Sequence, residues 1–184
     1  MATAVLALQG AFIEHERALA DLGEETFELR CHADLARPFD RLVLPGGEST
    51  VQGKLLREEG MLKPLRQCIL SGMPVLGTCA GLILLATKIE GDGQWLGTFP
   101  AEVRRNAYGR QLGSFHAVGD FGSWHDVPMS FIRAPYIKSV GEGTQVLARV
   151  DGNIVAARNG NQIGCAFHPE LDDDPRIHQL FLSL

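Results

Sequence analysis

Pro74-Val75-Leu76-Gly77-Thr78-Cys79-Ala80-Gly81-Leu82 reads as an apolar strand over 74–78 that runs into a Gly-x-Cys-x-Gly turn. An apolar helix follows at once, to about Ala86. This is the cysteine form of a nucleophile elbow. The flanking glycines allow the sharp turn and leave the thiol at its tip. Free N–H groups and the positive dipole end of the helix behind Cys79 favour thiolate over thiol. The competing reading is a small packed cysteine at the end of a core strand.

The pattern outward from the elbow sets the fold class. Val5-Leu6-Ala7-Leu8 is an apolar strand closed by Gln9-Gly10, and residues 11–22 carry Phe12, His15, Leu19 and Leu22 on one helical face. Thr26 to Leu29 and Arg41 to Leu44 are further strands, the latter stopped by Pro45-Gly46-Gly47. Ser49 or Thr50 suits the cap of the next helix, and residues 61–70 form another. Alternating strands and helices predict a mostly parallel central sheet inside a three-layer, flavodoxin-like α/β sandwich. The second half changes character. Segments 99–104, 112–119, 128–133, 145–150, 153–158 and 162–167 read as strands, with hairpin turns at Asp151-Gly152-Asn153 and Asn159-Gly160-Asn161-Gln162. This half is expected to be antiparallel, with a closing helix from about Asp174.

Ligands in such sheets gather beyond the carboxyl ends of the strands. Gln9, Gly46-Gly47 and Cys79 all fall at such ends, so three separate loops are expected to meet at one site.

Composition sets limits on function. The chain has 184 residues, 45% hydrophobic and 21% charged, the profile of one globular domain over residues 1–184. Its net charge of −5 opposes binding to nucleic acid or anionic lipid. Cys31, Cys68, Cys79 and Cys165 form no C-x-x-C pair, and no His/Cys group has zinc spacing. Reduced thiols, a cytoplasmic location and no membrane span are expected. No metal and no cofactor are expected.

A cysteine nucleophile needs a base and a group to orient it. His168 lies in Gly164-Cys165-Ala166-Phe167-His168-Pro169-Glu170. Pro169 biases His168 toward extended backbone, where residues two apart share a side, so Glu170 can accept from one ring nitrogen while the other faces Cys79. His15 reads as a packed helix histidine, and His32, His116, His125 and His178 have no comparable setting. The Ala80 amide and Gly46-Gly47 are candidate oxyanion donors. Gly46-Gly47-Glu48-Ser49-Thr50 lacks the lysine and spacing of a phosphate loop.

Gly-Thr-Cys79-Ala-Gly with a distant His168-Pro-Glu170 resembles the class I (triad) glutamine amidotransferases. Within them, Leu8-Gln9-Gly10, Leu44-Pro45-Gly46-Gly47-Glu48-Ser49-Thr50, Arg105-Asn106-x-x-Gly109-Arg110-Gln111, Phe131-Ile132-Arg133-Ala134-Pro135 and Phe167-His168-Pro169-Glu170-Leu171 are similar to the glutaminase subunits of pyridoxal 5′-phosphate synthases. The resemblance runs from residue 8 to 171 and implies the following roles. Cys79 attacks the side-chain amide of L-glutamine, His168 serves as base and then acid, and Glu170 orients it. Gly47 and Ala80 supply the oxyanion hole. Gly46, Gly47, Glu48, Ser49, Arg105, Ile132 and Arg133 line the glutamine pocket. Gln9-Gly10 helps set the oxyanion loop. The ammonia passes to an activating synthase partner, a β/α barrel that is dodecameric in the family, and is joined there to ribose 5-phosphate and glyceraldehyde 3-phosphate. The family's last helix is expected to run slightly beyond Leu184.

Overall fold

The computed structural model describes residues 2–105 and 113–184, and the Asn106-x-x-Gly109-Arg110-Gln111 run lies outside the described residues. In the first half, strands β1 (Ala2–Leu6), β2 (Thr26–Leu29), β3 (Phe39–Leu44) and β4 (Val75–Thr78) are joined through helices α1 (Phe12–Ala20), α2 (Ser49–Glu58) and α3 (Leu62–Leu70). Helix α4 (Ala80–Leu85) leaves β4 through the elbow. Eight strands follow: β5 (Ala86–Ile89), β6 (Phe99–Arg104), β7 (Ser114–Phe121), β8 (Trp124–Ile132), β9 (Tyr136–Val140), β10 (Thr144–Val150), β11 (Asn153–Asn159) and β12 (Gln162–Cys165). A single helical turn at Pro169–Leu171 precedes α5 (Arg176–Leu182).

Ten strands form one sheet in the order β2-β1-β3-β4-β12-β11-β9-β6-β5, with β10 paired to β11 beside that path. The first five positions are parallel, and β12–β11, β11–β9 and β9–β6 are antiparallel. Val5, Leu6, Leu42, Val43, Leu44, Val75 and Leu76 are wholly buried. Such continuous apolar runs belong to strands covered on both faces. Helix α1 packs on β1, β2 and the Pro169–Leu171 turn, whereas α4 packs on β3, β4, β12 and α2. Strands β7 and β8 form a separate two-stranded sheet. Phe115 and Phe131 stack across its two strands with ring centroids 4.4 Å apart, and Phe131 and Phe121 fix it to the core against Phe167, at 5.6 and 6.5 Å.

The α/β class, the mostly parallel sheet and the antiparallel second half match the sequence reading. Boundaries move at several places. The first strand lies at Ala2–Leu6 rather than 5–8, because Leu8-Gln9-Gly10 turns away into the loop that meets Gly46. Two strands, β5 and β9, were not expected. Helix α4 ends without a glycine or proline because the Leu96 and Thr98 amides take the Leu84 and Leu85 carbonyls at 3.0 and 2.9 Å. The freed chain continues directly as β5. Among the described residues, no helix is long and apolar enough to cross a membrane. All four cysteines are free.

Candidate active site

The carboxyl ends of β1, β3, β4 and β12 converge on one pocket of about 360 Å³. At its floor, Cys79 has φ 48° and ψ −98°, a backbone geometry that non-glycine residues seldom occupy. The elbow is held from both sides. The Cys79 amide donates to the Cys165 carbonyl at 2.8 Å, across the β4–β12 pair. Gly81 lets α4 press against β3, since a Cβ there would stand 1.9 Å from the Leu44 carbonyl oxygen. Cys79 is 7% exposed, and its Sγ lies 3.9 Å from the Ile132 carbonyl oxygen.

His168 follows β12 and lines the same pocket as Cys79. Its Nδ1–H donates to Glu170 Oε1 at 2.7 Å. The expected extended route from His168 to Glu170 is corrected here: Glu170 sits in the Pro169–Leu171 turn, and that turn brings the carboxylate to the ring. The segment is clamped to β8. The His168 amide donates to the Ser130 carbonyl at 2.8 Å, and Asp172 accepts from the Ser130 hydroxyl at 2.7 Å and amide at 3.1 Å.

Burial opposes charge on His168, but the neighbouring Cys79 and Glu170 outweigh it and raise its pKa to about 10. Burial likewise pushes the Glu170 carboxyl up, yet His15 and His168 together bring it below its ordinary value. The His168–Glu170 cation–anion pair therefore stands beside the thiol, with the carboxylate buried behind the ring, an arrangement suited to nucleophilic attack and proton return.

The loop after β3 forms one wall. The Ala11 amide donates to the Gly46 carbonyl at 3.0 Å, and the Glu48 amide donates to Gln9 Oε1 at 2.8 Å. Gln52 Nε2 donates to the Gln9 carbonyl at 2.7 Å. Gly46, Gly47, Glu48, Ser49, Cys79, Arg105, Ile132, Arg133 and His168 all line the pocket. Ala80 and Glu170 do not line it; both are buried behind Cys79 and His168. Arg105 is not enclosed: its half-buried guanidinium bonds Asp92 and Thr50, each at 2.9 Å. Arg133 takes φ 44° and is anchored by its amide to the Gly113 carbonyl.

Ala11 and Ile83 also line the pocket, and Thr78, His15 and His178 stand behind it, none of them given a role in the sequence reading. The one available signal was a histidine on the apolar face of α1. Among the described residues no cluster of three or more His, Cys, Asp or Glu could hold a metal ion.

Fold and site together define a class I glutamine amidotransferase architecture. A solved glutamine amidotransferase superposes with a TM-score of 0.93 at 43% identity, over 100% of this chain and 98% of that one. The chain belongs to the SNO glutamine amidotransferase family, whose profile matches residues 5–184. It is 59% identical to the pyridoxal 5′-phosphate synthase subunit PdxT of Desulfitobacterium hafniense strain Y51, over all of this chain and 92% of that protein. It is 52% identical to the protein of the same name from Bifidobacterium longum, over 99% of this chain and 100% of that protein. A glutamine amidotransferase from Thermotoga maritima shares the fold, with a TM-score of 0.66 at 16% identity over 96% of this chain and 87% of that one.

Proposed function

We propose that residues 1–184 form one glutaminase domain that hydrolyses L-glutamine to L-glutamate and ammonia and feeds the ammonia to a pyridoxal 5′-phosphate synthase partner. The observation that carries this reading is the Nδ1–H to Oε1 bond of 2.7 Å between His168 and Glu170, beside Cys79 on the pocket floor. The names of the relatives at 52–59% identity supply the pathway.

The Cys79 thiolate adds to the side-chain amide carbon of glutamine. The oxyanion is received by the Gly47 and Ala80 amides. His168 gives its proton to the departing nitrogen, ammonia leaves, and a γ-glutamyl thioester remains. His168 then takes a proton from water as the water attacks the thioester. Glutamate departs and Cys79 regains its starting form. Glu170 keeps the His168 ring in the tautomer and orientation both halves require. Arg105 and Arg133 provide cations for the α-carboxylate, and Glu48 an anion for the α-ammonium. Gly46, Ser49 and Ile132 complete the wall.

The partner is a β/α-barrel synthase, dodecameric as in the family, and the domain works in the cytoplasm. Ammonia that escaped to water would protonate and lose its nucleophilicity, which favours a closed transfer between the two proteins. The test is ammonia release from glutamine by the wild-type chain and by Cys79→Ala, with and without the synthase partner. Turnover by wild type and a loss of at least about 10³-fold in the variant is the expected result. Unchanged turnover by Cys79→Ala would reject the reading.

A further inference from the structure

Two buried histidines stand behind Glu170, on elements that carry none of the residues assigned above. His15, on α1, is wholly buried, and His178, on α5, is 1% exposed. His15 Nε2 lies 3.2 Å from Glu170 Oε2 and 3.0 Å from Thr78 Oγ1. His15 Nδ1 lies 3.0 Å from His178 Nε2, and the rings meet edge-on at 60° with centroids 5.3 Å apart.

One proton arrangement fits these contacts. His178 Nε2–H donates to His15 Nδ1, which leaves the His15 proton on Nε2, shared between the Glu170 carboxylate and the Thr78 oxygen. The opposite tautomer would aim a lone pair at the carboxylate. Glu170 Oε2 is buried and has no conventional hydrogen bond, so the skewed contact from His15 is its polar support among the described residues. A buried carboxylate oxygen with no donor is strongly disfavoured.

We infer that His15, itself oriented by His178, is a positioning residue for the reaction: it holds the far oxygen of Glu170 so that the near oxygen keeps the His168 ring aimed at Cys79. This rests on the glutaminase reading. Burial pushes both histidines down, His178 to about 3, so the pair meets Glu170 as a neutral dipole. The ionisable groups around the pair are Glu170 and His168 on the segment before α5 and Glu14 on α1. Arg17, Asp21, Asp172, Asp173 and Asp174 share with them the outer cleft that His178 lines.

The experiment compares His15→Phe, His15→Gln, His178→Phe and the His15→Gln/His178→Phe double variant. Two readouts are used: glutamine turnover with the synthase partner, and the pH profile of Cys79 alkylation by iodoacetamide in the chain without glutamine. Circular dichroism checks the fold. Removal of the donor in His15→Phe is expected to lower kcat about 10–100-fold with KM within about twofold, the usual effect of losing an outer partner. Its alkylation midpoint should move to higher pH. His15→Gln, which can place an N–H near the ring Nε2 position, should restore most of kcat. His178→Phe should cost about 3–10-fold, and the double variant should be no worse than His15→Gln, since His178 acts only through His15. Folded His15→Phe with wild-type kcat and alkylation would overturn the proposal, as would His15→Gln performing as poorly as His15→Phe. Should His15→Phe fail to fold, additive losses in the double variant would overturn it equally. Failure of the glutaminase reading is separable, since it would show as no ammonia from wild type while the alkylation profiles still report on His15.

Discussion

Gly46 lies against the His168 ring so closely that a Cβ at Gly46 would stand 2.2 Å from His168 Cε1 and 2.8 Å from Nδ1. The loop after β3 and the histidine after β12 are therefore fitted to each other with no room for a methyl group. Gly46→Ala must displace the ring, the loop or both. Turnover is expected to fall at least about 100-fold, since misplacement near 1 Å costs that much. Unfolding should become easier by about 1–3 kcal/mol in a denaturant titration. Wild-type kcat in Gly46→Ala would show that the ring needs no such fit.

Glu170→Gln keeps the shape of the side chain and removes its charge. The imidazolium of His168 then loses the charged bond that helps offset its burial. Ammonia release is expected to drop about 10³–10⁴-fold, in line with amide replacement in other triads. The pH profile of stability supplies a second check. Because His168 is raised from 6.5 to about 10, its contribution is full below pH 6.5 and fades as pH rises toward 10. Thermal melts of wild type should weaken across that alkaline window, and melts of Glu170→Gln should weaken less.

The acid limb has the opposite origin. His15 and His178 are neutral in the fold and free to charge once it opens. Below pH 6.5 the unfolded chain binds protons that the folded chain refuses, so stability should fall by up to about 1.4 kcal/mol per pH unit for each histidine. Glu170, whose folded value is lowered, adds a further loss at more acid pH as it protonates. His178→Phe should flatten the slope between pH 6.5 and 4 in urea titrations. An unchanged slope would mean that other groups govern acid unfolding.

Arg105 reaches the pocket while tied to Asp92 at 2.9 Å, so the pair fixes where its positive charge stands. Arg105→Ala is expected to raise KM for glutamine about 10–100-fold with a smaller change in kcat, the pattern of lost uniform binding. Asp92→Asn should raise KM by several-fold without changing kcat. Equal losses in kcat and kcat/KM for Arg105→Ala would instead place this residue in the transition state.

Much of this molecule is legible in its sequence because apolar runs such as Val75-Leu76 and Leu42-Val43-Leu44, stopped by Gly77 and by Pro45-Gly46, suit strands covered on both faces, and Gly77-Thr78-Cys79-Ala80-Gly81 suits a sharp turn. What was hidden depends on partners distant in the chain. Strand β5 carries no punctuating residue and is set by the Leu96 and Thr98 amides. Asp92 holds Arg105 from another loop. His15 looked like any helix histidine on an apolar face. Its partners, Thr78, Glu170 and His178, come from three other segments, and no periodicity in α1 announces them.

The pairing of β12 with β4, both central in the sheet, has a consequence for biosynthesis. Cys79 is made early and His168 late, and only the insertion of β12 between β4 and β11 joins them. A nascent chain thus carries its thiol with no base until residue 168 is made, and long-range closure of this kind is slow. Until β12 is seated beside β4, Cys79 has no base, so an incompletely folded molecule lacks the paired site.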